Sequence, residues 1–247
     1  MTVLALAVNP VAAEAAEAKD PTVSVMAAAA VDGDTLRLAD DRLLRLAAIL
    51  APKGKEPLAD AARVALAEAA GRPLLLEFGP RRTDRHGRLL AQAWLAADGT
   101  PQLWLEERLV SAGLARVVST ADTRARVSEL LRLEAQARAA GRGLWADPAY
   151  RVRMSYDLAA VLDSFQIVEG RVLTAARVRG GGYLNFGADY KTDFTLRFDS
   201  ESLRRLRDSG LDFESLAGVR LRVRGWLRYF NGPLIDVTHP EQIEVLP

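Results

Sequence analysis

The chain has no cysteine, only two histidines and no long hydrophobic run. The absence of cysteine excludes disulfide bonds, thiolate zinc sites and cysteine nucleophiles. His86 and His239 are too few and too isolated to form a histidine metal centre. No stretch approaches the roughly 18 consecutive apolar residues that a membrane-spanning helix needs. The sequence therefore predicts neither thiol chemistry nor a membrane-spanning helix.

Charge of either sign is not in excess either. The 33 Lys and Arg residues against 32 Asp and Glu residues give a formal net charge of +1, so affinity for a polyanion must come from local arginine clusters. The abundant arginine also fits a GC-rich genome. Apolar residues make up 49% of the chain and charged residues 26%, which indicates a folded globular protein. A length of 247 residues favours two domains.

The first 22 residues are rich in alanine and differ in pattern from the rest of the chain. Residues 3–8 form a short apolar run, and small-residue sites resembling signal-peptide cleavage sites follow it, but nothing basic precedes Lys19. Segment 1–22 is therefore interpreted as signal-like or disordered. The signal interpretation predicts a periplasmic or secreted protein, and the alternative is a cytoplasmic one.

The segment 23–147 has the pattern of one domain. Three strands separated by tight turns are predicted at 23–31, 36–38 and 43–50, and a helix follows Pro57 at 58–69. Two further strands are predicted at 74–78 and 89–95, then helices at 104–112 and 123–140, with residues 143–145 as an apolar anchor. This order predicts a mostly β fold with α-helices, built on a five-stranded barrel of the OB (oligonucleotide-binding) type.

Residues 148–164 resemble a linker that is partly helical around 156–162, and 165–247 form a second β-rich unit. Strands are predicted at 166–178, 183–186, 194–198, 219–226, 234–237 and 243–246, with a helix at 200–207 that Ser200 caps. Asn231 and Gly232 predict a hairpin turn. About five strands with this turn chemistry predict a second small β-barrel, OB-like in class.

Five segments of the first domain, in order, carry a family resemblance. They are residues 31–35 (VDGDT), 44–46 (LRL), 82–88 (RTDRHGR), 109–117 (LVSAGLARV), and 134–137 (EAQA) with 143–145 (GLW). Together they cover about half of the chain, over residues 24–145. On these motifs the chain resembles the staphylococcal nuclease (thermonuclease) family, which implies a bacterial nuclease-like protein.

The resemblance implies specific chemistry and specific residues. Members of the family hydrolyse phosphodiesters in DNA and RNA with a calcium ion, a carboxylate that activates water and two arginines that bind the phosphate. Arg45 and Arg88 match the two arginines, Asp34 matches the first calcium carboxylate, and Asp32 matches a supporting acid. A hard cation prefers carboxylate oxygens, and developing negative charge is stabilised by preorganised guanidinium groups.

The match fails at two positions that hydrolysis needs. Where the family has Asp-Thr-Pro-Glu or Asp-Ala-Pro-Glu, this chain has Leu50, Ala51, Pro52 and Lys53. Leu50 replaces the second calcium carboxylate, and Lys53 replaces the water-activating glutamate, so that its charge repels a metal ion. The sequence predicts a pseudoenzyme with little or no thermonuclease activity. Its cofactor would be calcium if it is active, and none otherwise.

Other interpretations of the same residues stay open at this point. Glu56 or Asp60 could compensate for the lost glutamate, and Lys53 could act as a fixed cation on the phosphate. Arg45 and Arg88 could instead pair with Asp34 and other carboxylates as a structural ion cluster.

Nucleic-acid contacts are predicted on both units. Arg45, Arg85 and Arg88 are the candidates in the first domain. In the second domain, arginines alternate with aromatic residues, a composition suited to a single strand of DNA or RNA. Arg224, Tyr183 and Trp226 are the candidates there. The alternative is that the aromatic residues form barrel core and the arginines a solvated edge.

The sequence leaves three functions open. The first is nucleic-acid binding by a degenerate nuclease barrel. The second is an active phosphodiesterase, calcium-dependent or metal-independent. The third is a protein–protein scaffold at the cell envelope, which the near-neutral charge favours to some extent because dedicated nucleic-acid binders are often basic.

Overall fold

A computed structural model of the chain describes residues 22–189 and 191–247. The signal-like interpretation covers residues 1–22, of which 1–21 lie outside the described residues, as does Tyr190. Within the described ranges, no helix combines the length and the apolarity needed to cross a membrane.

The first half of the structure is a closed ring of strands. The strands of this half are β1 Val23–Asp32, β2 Thr35–Leu38, β3 Leu43–Leu46, β4 Ile49–Leu50, β5 Pro73–Thr83, β6 Leu89–Ala97, β7 Thr100–Trp104 and β8 Arg116–Val117. Strands β4 and β8 form a separate two-stranded sheet. Neighbours follow the order β3-β2-β1-β5-β6, and β3 also pairs in parallel with β6, which closes a five-stranded barrel. The predicted barrel is confirmed. Strand β7 was not predicted; it extends the sheet as a hairpin on β6.

Alternation of side chains explains why these segments form a barrel. Leu36 and Leu38 on β2, Leu44 and Leu46 on β3, and Leu74 on β5 all face a single core and are almost fully buried. Side chains two residues apart on a strand point to the same face. The leucine spacing therefore fixes which face of each strand lies inside.

Three α-helices belong to the first half: α1 Ala59–Ala67, α2 Leu105–Ser111 and α3 Val127–Ala139. Helix α3 begins at Val127 and not at Thr123 as predicted. The Thr120 N–H donates to Thr123 Oγ1 at 2.9 Å, and this side-chain bond holds a turn that competes with helix. After α3, the Leu144 N–H donates to the Gly113 carbonyl at 2.8 Å and Leu144 is fully buried, which confirms the predicted anchor.

The second half is built on one larger sheet. Its elements are β9 Arg153–Met154, β10 Ser164–Arg171, β11 Thr174–Val178, β12 Gly181–Asn185, β13 Thr195–Asp199, α4 Ser200–Asp208, β14 Arg220–Tyr229, β15 Pro233–Asp236 and β16 Ile243–Leu246. Strands pair in the order β11-β12-β13-β15-β14-β10-β9, with β16 on β14. Among the described residues these pairings form an open path. A second β-sheet domain is thus present, and its OB-like class stays a prediction, as do the domain boundaries.

Local details of the second half differ from prediction in two places. The long strand expected at 166–178 is two strands, β10 and β11, interrupted at residues 172–173. Helix α4 is capped by Asp199 and not by Ser200, because the Asp199 carboxylate accepts from the Ser202 N–H at 2.7 Å. The predicted hairpin is confirmed: β14 and β15 pair antiparallel across residues 230–232, and Asn231 and Gly232 have positive φ of 50° and 95°.

Buried ion pairs join the two halves. Arg224 on β14 is only 1% exposed, and its guanidinium contacts Glu134 of α3 at 2.8 Å and Glu244 of β16 at 2.6 Å. Arg124 and Glu241 form a second pair across the junction at 2.8 Å. Charges buried in this way are stable only when they are paired, so these contacts fix the two sheets against each other.

Candidate functional site: an internal ammonium in a cleft between the two sheets

The turn between β1 and β2 carries two of the predicted site residues. The Asp34 N–H donates to Asp32 Oδ1 at 3.0 Å, which closes the turn. A Cβ at Gly33 would lie 2.6 Å from the Ala62 Cβ and 2.7 Å from the Ala51 Cβ, so only glycine lets the turn pack this closely against α1. Asp34 is consequently carried into the interior and has no exposed surface.

Both oxygens of the Asp34 carboxylate are fully engaged. Oδ2 accepts from the Ala51 N–H at 2.9 Å and lies 3.2 Å from an Nη of Arg45. Oδ1 accepts from the Thr35 hydroxyl at 3.1 Å and from the Lys53 ammonium at 2.7 Å. These four contacts supply what a buried carboxylate requires in place of water.

Lys53 joins the two carboxylates of the turn. Its Nζ lies 2.5 Å from Asp32 Oδ2 and 2.7 Å from Asp34 Oδ1. Burial by itself raises the pKa of Asp32, but hydrogen bonds from Lys53 and from the Asp34 N–H outweigh burial and lower the pKa to about 2. The ammonium thus bridges the two carboxylates.

The residues present do not fit the calcium ion that the family resemblance implies. Calcium takes six to eight oxygen ligands, and Leu50, in the place of the second carboxylate, has no side-chain oxygen. Both oxygens of Asp34 already accept hydrogen bonds, and the Lys53 ammonium stands between Asp34 and Asp32. In the ranges that the structure describes, no three His, Asp or Glu side chains come together as a metal site.

Arg45 is held by the barrel itself. Its Nη1 donates to the Leu46 carbonyl at 2.5 Å and its Nη2 donates to the Ile49 carbonyl at 2.6 Å, in addition to the contact with Asp34. Burial lowers the pKa of this guanidinium. The structural ion cluster weighed from the sequence therefore exists for Arg45, Lys53 and the two aspartates.

Arg88 lies closer to solvent and has fewer partners. Its Nε donates to Asp84 Oδ2 at 2.7 Å within the turn between β5 and β6, and its Nη1 lies 3.4 Å from the Thr35 hydroxyl. Since Thr35 also donates to Asp34, a chain of hydrogen bonds runs from Arg88 to the buried carboxylate. Arg88 Nη2 contacts the same Asp84 oxygen at 2.6 Å, and a phosphate that replaced Asp84 could accept from both nitrogen atoms.

Arg45, Lys53 and Arg88 line a cavity of about 860 Å³ that we call the inter-sheet cleft. Its walls carry six cations and four carboxylates: Arg45, Lys53, Arg81, Arg85, Arg88 and Arg116, with Glu56, Asp84, Asp122 and Asp163. The second sheet contributes to the same cavity through Phe165, Gln166 and Trp226. The structure therefore brings together Arg45, Lys53, Arg85, Arg88 and Trp226. The sequence alone could not show this grouping.

A group that the sequence did not single out crosses the cleft. The Tyr150 hydroxyl donates to Glu56 Oε2 at 3.0 Å, and the Arg116 guanidinium lies 5.0 Å from the centre of the Tyr150 ring. Arg116 also donates to the Phe165 carbonyl at 2.9 Å. Arg116 falls within a motif of the family resemblance and so carried a signal, whereas Tyr150, in the expected linker, carried none.

Two predicted nucleic-acid contacts are placed elsewhere. Arg224 is buried in the junction between the sheets, where Glu134 and Glu244 neutralise it, so the prediction that Arg224 binds nucleic acid is wrong. Tyr183 lines a separate cavity of about 380 Å³ together with Phe230. Of the three candidates in the second domain, only Trp226 lies in the cleft.

Comparison with known proteins agrees with the first barrel. The family model described as staphylococcal nuclease homologue matches residues 43–147. The protein named Protein ParB, from Escherichia coli, is 36% identical over 152 residues, which cover 58% of this chain and 82% of that relative. The chain belongs to the staphylococcal nuclease family. Its cleft thus occupies a nuclease-family barrel in which lysine stands where the family resemblance implies a catalytic glutamate.

Proposed function

We propose that this protein binds nucleic acid through the cleft of its nuclease-family barrel, with phosphodiester hydrolysis weak or lost. The observation that carries the proposal is the Lys53 ammonium, 2.5 Å and 2.7 Å from the two carboxylates that a calcium-dependent relative would need. Lys53 and Arg45 thus balance the charge of Asp32 and Asp34 without a metal ion.

Binding is supported by the accessible cations of the cleft. Arg81 and Arg85 are exposed on the β5–β6 hairpin, and Arg88 lies at its base. One guanidinium group can donate two parallel hydrogen bonds to the oxygens of a phosphate, and binding releases counterions from the nucleic acid. The backbone of a nucleic acid entering the cleft would meet these groups first.

Loss of hydrolysis is supported by what Lys53 cannot do. A protonated ammonium cannot accept a proton from water, and removal of a general base commonly costs about two to four orders of magnitude in rate. Arg45, which the family resemblance assigns to the phosphate, here donates to two carbonyls and to Asp34. Lys53 and Arg45 are thus both occupied by contacts within the protein.

The test measures binding and cleavage on one fluorescent single-stranded DNA. Fluorescence anisotropy across a salt series should give an affinity that falls with salt, and Arg88→Ala should reduce the logarithmic slope by about 0.7, the share of one phosphate contact. Arg63→Ala is the matched control, since Arg63 is exposed on α1 outside the cleft. An affinity without salt dependence would rule out phosphate recognition.

A second candidate function rests on Glu56. Its carboxylate lines the cleft and is held by Tyr150 at 3.0 Å, so it is a possible water-activating group for metal-independent hydrolysis. Cleavage that persists in a chelator and is lost in Glu56→Gln, but not in the exposed control Glu107→Gln, would establish this function in place of the first.

A further inference from the structure

One face of β14 runs from the buried junction between the sheets out to solvent, and it carries one exposed aromatic residue, Trp226. Arg224, Trp226 and Arg228 alternate along this strand and so share a face. Arg224 is covered by the first barrel, whereas Trp226, two residues further on, is 57% exposed. Trp226 therefore stands at the point where the junction opens into the cleft.

The indole of Trp226 is supported from below. Phe165, its partner in the β10–β14 pairing, is buried, and the two rings lie 6.3 Å apart with their planes at 74°. Arg116 lies 5.1 Å from the centre of the Phe165 ring and donates to the Phe165 carbonyl. Because the ring is already held in place, binding of a ligand to it costs little further side-chain conformational entropy.

Trp226 lies between two adjoining cavities and not at the edge of one. The inter-sheet cleft and a neighbouring cavity of about 490 Å³ share five lining residues. These are Val118, Thr120, Asp122, Phe165 and Trp226. The second cavity continues to Arg205 and Arg228. A groove with cations at both ends and an exposed indole between them runs across both sheets.

This groove matches the chemistry of a single strand. Cationic side chains track the phosphates, and an aromatic face accepts a base whose own neighbours have been unstacked. Bases inside a duplex are already stacked and paired, so they cannot reach the indole unless they are extruded. Charge and exposed aromatic surface together therefore favour a single strand over a duplex.

We infer that the second sheet completes the binding site of the nuclease-family barrel, and that Trp226 stacks on a base of a single-stranded nucleic acid whose backbone lies on Arg88. The inference rests on the proposed function, because it requires that phosphates bind in the cleft. It adds the class of nucleic acid, a base subsite and a role for the second domain.

The test uses the full chain and a fluorescent oligothymidine of about ten nucleotides, a length suited to one such groove. Trp226→Leu should weaken binding about tenfold or more, whereas Trp226→Phe should restore most of the affinity. Tyr229→Leu is the matched control: Tyr229 is 68% exposed on the same strand but lines neither cavity. Quenching of tryptophan fluorescence by the oligothymidine should be strong in the parent and much reduced in Trp226→Leu.

The outcomes separate this inference from the proposed function. If Arg88→Ala weakens binding and Trp226→Leu does not, the base subsite is wrong and the proposed function stands. Equal losses in Trp226→Leu and Tyr229→Leu would also overturn the subsite. If a duplex of the same length binds as tightly as the single strand, the assignment of the nucleic acid is wrong. Absence of any binding by the parent would refute both proposals.

Discussion

The Lys53 ammonium predicts a stability effect that can be worked out from its contacts. Lys53→Met keeps the length and the apolar stem of the side chain and removes only the charge. The variant loses two charge-assisted hydrogen bonds, to Asp32 and to Asp34. Asp34 keeps its contacts with Ala51, Thr35 and Arg45, so it is not left without partners.

The size of the effect follows from exposure. Hydrogen bonds to charged groups contribute roughly 1.5–3 kcal/mol each, and breaking a fully buried ion pair costs about 3–5 kcal/mol. Because the Lys53 side chain is 38% exposed, water compensates part of the loss, as it does for surface pairs. We expect Lys53→Met to lower the free energy of unfolding by about 1–3 kcal/mol.

Urea denaturation followed by far-ultraviolet circular dichroism measures this difference. Lys55→Met is the control, because Lys55 lies two residues further along the same loop and is exposed. A double-mutant cycle with Asp32→Asn should show a coupling energy of about 1 kcal/mol or more. If Lys53→Met is as stable as Lys55→Met and the coupling is absent, the ammonium is not held between the carboxylates and the reasoning fails.

Three further predictions follow from the same structure. The double variant Leu50→Asp, Lys53→Glu should gain thermal stability on addition of calcium, and cleave single-stranded DNA in its presence, while the parent shows no such stabilisation. Arg224→Met should lower the free energy of unfolding by about 2–5 kcal/mol, because Glu134 loses its nearest cation and keeps only Arg138, 3.4 Å away, and the Val117 N–H; chemical denaturation measures this. Burial raises the pKa of Glu106 from 4.5 to about 8, so the folded state holds the proton more tightly and the parent loses stability as pH rises through this interval. Glu106→Gln should remove that loss and flatten the stability profile by roughly 3–5 kcal/mol, and an unchanged slope would contradict the assignment.

Much of the fold could be predicted because it depends on local pattern. The leucines of β2 and β3 alternate, so both the existence and the inward face of these strands follow from the sequence. The pair Asn231 and Gly232 is a strong hairpin signal, because both residue types tolerate a positive φ. Strand β7 was missed because its residues, mostly exposed, show no alternation to distinguish a strand from a loop.

The residues of the site likewise fall into those that sequence motifs predicted and those that they did not. Family motifs located Arg45, Arg88 and Lys53, since each role is tied to a position in the chain. The prediction that Arg224 contacts nucleic acid failed for a physical reason. Alternation along a strand shows which residues share a face, but not what covers that face. Trp226 lies on the same face of β14 and is exposed only because the junction ends there.

Contacts distant in sequence were beyond any local pattern. The Tyr150 hydroxyl and Glu56 are separated by 94 positions and meet only through the packing of the folded chain. The same packing brings Phe165 beside Arg116. Such pairs are properties of the assembled fold, and only the structure could show that they line one cleft.

The central claim is that this nuclease-family cleft binds nucleic acid with an internal ammonium in place of a calcium ion. The most direct measurement is the affinity for fluorescent single-stranded DNA in a calcium chelator and in excess calcium, with the integrity of the DNA recorded in both. The account predicts equal, salt-dependent affinity and intact DNA in both conditions. Binding that requires calcium, or calcium-dependent cleavage that Arg45→Ala abolishes, would contradict it.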